Sequence, residues 1–150
     1  MRPSAVCFLL TAMIGCVHGP TTQLTPRAAT DVNASFDRTW NAVIDVFAER
    51  NIPIATIDKS SGLIATTALG IEESKDTTQE WADCGNLPAT RATYNVLVRG
   101  AGDRSTVKVT VKWVAWRSLG MFGEDSRECV TKHVWEAATE SEVKMRAERP

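Results

Sequence analysis

The stretch "RATYNVLVRGAGDRSTVKVTVKW", Arg91 to Trp113, constrains the fold more than any other part of the chain. Ala92, Tyr94, Val96 and Val98 alternate with Thr93, Asn95, Leu97 and Arg99. Gly100-Ala101-Gly102-Asp103 interrupts the run. Val107, Val109, Val111 and Trp113 then alternate with Thr106, Lys108, Thr110 and Lys112. A period of two places one set of side chains on each face of a strand, so this pattern predicts an antiparallel hairpin with one dry face and one wet face. The dry face needs a cover.

Two amphipathic segments can supply it. In the first, Ser35 is a good N-cap and Asp37 sits in the first turn, where the helix dipole favours a carboxylate. Phe36, Trp40, Val43, Ile44 and Phe47 follow at helical spacing. The helix ends around Arg50-Asn51, where Asn tolerates a left-handed cap, and Pro53 blocks continuation. In the second segment, Val130, Val134, Ala138 and Met145 form a thin apolar stripe, and the spacing predicts a helix over Thr131 to Ala147. Between these segments, Ile52 to Ile57 and Leu63 to Ala68 read as strands around the turn Asp58 to Gly62. Gly70 to Arg91 reads as a long polar loop carrying Trp81 and Cys84, and "VAWRSLGMFGEDS" as a short connection toward Cys129. The expected fold is α+β, in the order α-β-β-β-β-α. An antiparallel sheet of about four strands carries both helices on one face, in a single domain over residues 35–150.

The N-terminus points to a compartment. Met1 and Arg2 make a short basic start, and Ala5 to Val17 carries no charge. The run is shorter than the roughly 20 apolar residues of a membrane-spanning helix and fits the apolar region of a secretory signal peptide. Met13-Ile14-Gly15-Cys16 resembles the bacterial lipobox, in which the peptide is cut before a cysteine that is then acylated. The competing reading is a plain signal peptide with an incidental cysteine. The lipobox reading divides the chain into a signal peptide over residues 1–15, and a lipidated Cys16 with a flexible tether over residues 16–34. One acyl chain anchors a protein only marginally, whereas several on one cysteine make release slow. Val17 after the cysteine, rather than Asp, implies the outer membrane under enteric sorting rules.

Loss of residues 1–15 removes Arg2 alone, so 17 basic residues become 16 against 18 acidic ones, and the formal charge moves from -1 to -2. A slightly acidic domain has no general attraction for nucleic acid or anionic lipid. A mature chain of about 135 residues can bury its own core.

Cys7 leaves with the signal peptide and Cys16 is lipidated, which leaves Cys84 and Cys129. In an oxidising compartment such a pair reads as a disulfide closing a loop of roughly 46 residues. The alternative is a metal site built from Cys84, Cys129 and His133, with Asp83 as the fourth ligand.

Enzyme signatures are missing. His18 lies in the tether, and His133 has no matching nucleophile and acid. There is no phosphate-binding glycine loop and no paired-histidine zinc motif. The chain is expected to be a non-enzyme that needs no cofactor. Glu72, Glu73, Asp76 and Glu80 read as a solvated loop, with a weak cation site as the alternative. Trp113, Trp116, Leu119, Met121 and Phe122 form a dense apolar group. Either they close the core, or those beyond Trp113 form an interaction surface, since aromatics and Met are enriched at binding surfaces. Alternation points Trp113 inward and Trp116 outward, which makes Trp116, Leu119, Met121 and Phe122 the candidate interaction surface.

"SFDRTWNAVIDVFAERNIPIATIDKSSGLIATTAL" resembles a domain of the BamC-type outer-membrane lipoproteins. The resemblance rests on Trp40, Val43-Ile44, Ile52-Pro53-Ile54, Asp58, Gly62-Leu63-Ile64 and Thr66. It implies a helix-grip fold, two helices against a curved antiparallel sheet. It also implies a lipid-anchored, periplasm-facing envelope protein with a protein partner, serving as a structural or interaction module. Those proteins carry two such domains and a long N-terminal segment, whereas this chain has one domain and a short tether. The alternative from a different class is a small-ligand or lipid-binding helix-grip module.

Overall fold

The computed structural model describes residues 27–71, 80–85, 87 and 89–150. The expected signal peptide, Cys16 and most of the tether lie outside the described residues, as do Glu72, Glu73 and Asp76.

Helix α1 spans Phe36–Glu49. Ser35 caps it by accepting a hydrogen bond from the Arg38 N–H, and Asn51 ends it at φ 53°. Trp40, Val43, Val46 and Phe47 are buried on its inner face. The two long strands of the expected hairpin form the centre of the sheet. Their register pairs Val98 with Val107, Val96 with Val109, Tyr94 with Val111 and Ala92 with Trp113. All eight of these side chains are buried, as the alternation requires.

The strands run β1 (Thr30–Val32), β2 (Ile54–Asp58), β3 (Leu63–Thr66), β4 (Leu69–Ile71), β5 (Ala82–Asp83), β6 (Ala89–Ala101), β7 (Arg104–Ser118), β8 (Glu124–Glu128) and β9 (Val130–Thr131). Helix α2 (Val134–Ala147) ends the chain. The main sheet is antiparallel in the order β1-β7-β6-β3-β2. β8 also pairs with β7, and β4 also pairs with β6, so each long strand carries two short partners along its outer edge. β5 and β9 form a separate two-stranded sheet.

The α+β class, the two helices and the antiparallel sheet agree with expectation, but the strand count does not. Nine strands are described where about four were expected. The segment from Leu69, which overlaps the expected loop from Gly70, contributes β4 and β5, and the connection after Trp113 is β7 running on to Ser118, followed by β8. Three short additions, β1, β5 and β9, hold two or three residues each, too few for a period to show. β1 also shows that structure begins upstream of Ser35. Val32 is buried there, and Thr30 pairs with Val107.

At the β2–β3 turn, Asp58 Oδ1 accepts hydrogen bonds from the Ser60 N–H (3.0 Å), the Ser60 hydroxyl (2.6 Å) and the Ser61 N–H (3.2 Å). The Ser60 and Ser61 bonds hold this carboxyl down at about 2. Gly62 follows at φ 64°, where a Cβ would stand 2.1 Å from the Val98 carbonyl oxygen. Glycine is required here twice over, for its dihedral and for the close approach of β6.

Helix α2 corrects the expected stripe. Val134, Ala138 and Met145 face solvent, and Val130 is an exposed residue of β9. The inner face is Glu136, Thr139, Glu140, Val143 and Ala147. Polar partners make that burial tolerable. Glu140 is 1% exposed, and its carboxylate accepts from the Val109 N–H (2.8 Å), the Thr30 hydroxyl (2.5 Å) and the Arg27 guanidinium. Thr139 accepts from Arg50 at 3.0 Å. A buried carboxylate with a cation and two further donors joins α2 to β1 and β7.

Candidate functional site

Helices α1 and α2 cover the dry face, and aromatic rings fill the space beneath them. Tyr94 stands edge-on to Phe47 at 5.9 Å between centroids, Trp81 lies 6.0 Å from Trp113, and Trp135 lies 4.9 Å from Trp81. Trp113 is 1% exposed. Burial pushes the Tyr94 phenol well above its ordinary value, as desolvation of a phenolate must. The layer between helices and sheet is therefore core.

The other end of the expected apolar group lies outside that core. β7 continues past Trp113 with its alternation intact, so Ala115 points in and Val114 and Trp116 point to the outer face. β8 pairs with it rung by rung, from Val114 with Glu128 to Ser118 with Glu124. Leu119 to Gly123 joins the two strands through a single 3-10 turn at Gly120–Phe122. The Leu119 N–H donates to the Gly123 carbonyl at 2.8 Å and closes the loop. Gly120 (φ 62°) and Gly123 (φ 95°) supply backbone shapes that other residues rarely adopt. Leu119 is 43% exposed, Met121 98% and Phe122 89%.

Trp116 is half-buried. The Arg91 guanidinium lies over its ring, 4.3 Å from the centroid. The same guanidinium makes two 3.1 Å bonds to the Glu124 carboxylate. Arg117 pairs with Asp125 at 2.9 Å. The charges at the base of the arm are thus paired with one another, and the tip itself carries none. Of the four residues of the candidate interaction surface, Leu119, Met121 and Phe122 form the tip, while Trp116 sits behind it under an arginine.

Cys84 and Cys129 form a disulfide. Both sulfurs are bonded, so the alternative metal set loses its two thiolates. His133 instead sits at φ 60° before α2, its Nδ1 3.4 Å from Glu136 Oε1. The described residues contain no group of three or more His, Cys, Asp or Glu suited to a metal ion.

A cleft of about 450 Å³ opens beside β7, lined by Val109, Val111, Trp113, Cys129, His133 and Glu136 among others. Glu136 is 1% exposed. Its Oε1 accepts from the Thr131 hydroxyl at 2.8 Å, and its Oε2 has no hydrogen-bond partner. Sequence reasoning missed both buried glutamates, because a Glu within a charged helical segment carries no mark of burial. No family model matches the chain, and no curated protein compared with it is similar to it.

Proposed function

We propose that this chain is a lipid-anchored, periplasm-facing lipoprotein, held at Cys16 and acting as a structural or interaction module of the cell envelope, most naturally at the outer membrane. In this reading the two helices and the sheet form a variant of the helix-grip arrangement, widened by the short strands along β6 and β7. The observation that carries the reading is the placement of apolar chemistry. The interior beneath the helices is filled by rings, and the most exposed large apolar side chains among the described residues, Met121 and Phe122, stand together at the end of the β7–β8 arm. An exposed apolar pair of this kind favours contact with something outside the chain, whereas the small-ligand alternative would have to use the cleft of about 450 Å³ beside β7. The Cys84–Cys129 disulfide accords with an oxidising compartment.

Cys16→Ser tests the anchor. The substitution removes the acyl acceptor, so the chain should escape lipid processing and change its fractionation. If the variant is still processed and partitions with membranes as an intact species, the lipoprotein reading is wrong. Crosslinking in cells from position 122 should then identify what the arm touches.

A further inference from the structure

The arm is convex. Five residues, Leu119 to Gly123, form its end, and Met121 at 98% exposure has almost nothing beside it. A stable protein interface buries about 800 Å² per partner, far more than such a tip can offer. A fluid hydrocarbon phase makes no such demand, because it closes around any shape. Two further features fit a lipid surface. The tip is free of charge, and the charged residues at its base are paired, Arg91 with Glu124 and Arg117 with Asp125. Behind the tip, the Trp116–Ser126 rung lies two rungs from Ser118–Glu124, roughly 7 Å at strand spacing. Trp116 and Arg91 there form a ring-and-guanidinium pair, and such amphipathic side chains settle at the level of lipid headgroups.

We propose that the β7–β8 tip inserts Met121 and Phe122 shallowly into the bilayer, giving the domain a second point of attachment. The proposal rests on the lipoprotein reading for its proximity to a membrane, and the reach is sufficient. Thr30 pairs with Val107, and the strand from there to Ser118 rises about 36 Å. Fully extended, the chain from Cys16 to Thr30 spans up to about 48 Å. Anchor and tip can therefore engage one surface. Because the base charges are paired, insertion depends on apolar transfer and not on lipid charge.

The test uses the processed protein reconstituted into neutral phosphatidylcholine vesicles. An environment-sensitive fluorophore is attached through Met121→Cys in one sample and through Asp103→Cys, at the far end of the β6–β7 hairpin, in another. Quenching by lipids carrying a spin label near the headgroup is measured in both. The fluorophore at position 121 should shift to the blue and lose intensity, while that at position 103 should do neither. Adding Phe122→Ser should reduce the loss at 121. Mass spectrometry of the same samples reads acylation of Cys16 independently. An acylated protein whose fluorophore at 121 stays water-like, or is quenched no more than the one at 103, overturns the insertion. Quenching confined to position 121 in a protein without acylated Cys16 upholds the insertion and removes the anchor.

Discussion

Trp113 and Trp116 stand three positions apart on one strand and meet opposite surroundings. The strand period decides this, since odd and even residues of β7 face different layers. Trp113 packs against Trp81 beneath the helices, and its truncation to Ala removes a fully buried ring. Trp113→Ala should cost roughly 3–5 kcal/mol. Phe122→Ala removes a side chain that is 89% exposed and should change stability by no more than about 0.5 kcal/mol. Thermal and denaturant unfolding of the two variants checks the contrast. A large, equal loss in both would mean that the tip is packed and not free.

At the scale of elements, α2 shows how a sequence stripe can point the wrong way. Val134, Ala138 and Met145 share a helix face by spacing, yet the face that packs is Glu136, Thr139, Glu140, Val143 and Ala147. Three exposed apolar residues give up little by staying in water, because scattered surface apolar groups are ordinary. Glu140, by contrast, has the Val109 N–H, the Thr30 hydroxyl and Arg27 in reach only when turned inward. Val143→Ser should therefore destabilise the domain by about 2 kcal/mol or more through the lost apolar burial and a buried hydroxyl. Met145→Ser should be nearly neutral. Comparing their unfolding midpoints separates the two faces, and the reverse ranking would restore the stripe seen in the sequence. The β7–β8 arm was partly legible in the same way. Alternation carried Trp116 to the outer face, but the pairing of "EDSRE" with β7 had no apolar period to announce it.

Across the whole molecule, the Cys84–Cys129 disulfide closes a loop that contains β6, β7 and β8, and so ties the small β5–β9 sheet to the main sheet. The chain-entropy account gives a loop of this length about 4 kcal/mol, chiefly by constraining the unfolded chain. The Cys84→Ala/Cys129→Ala double variant should accordingly melt on the order of 10–20 °C lower. Calorimetry with and without reductant measures it. A wild-type protein whose melting is unmoved by reduction would show that the bond carries no stability.

By itself the sequence determined the local features with a physical signature of their own: α1 and its Ser35 cap, the β6–β7 hairpin with its dry and wet faces, the Gly62 turn and the inward Trp113. Each rests on a repeat or a residue chemistry readable within about a dozen positions. The pairing of Cys84 with Cys129 was likewise legible, by elimination once Cys7 and Cys16 were assigned to the expected signal peptide and anchor. Only the tertiary structure decided which partners the short strands found, which face of α2 turned inward, and that Glu136 and Glu140 are buried. Those outcomes depend on groups far apart in the chain. Arg27 and Glu140 are separated by 113 positions, and whether a carboxylate can leave water is settled by who meets it there, which no local period records.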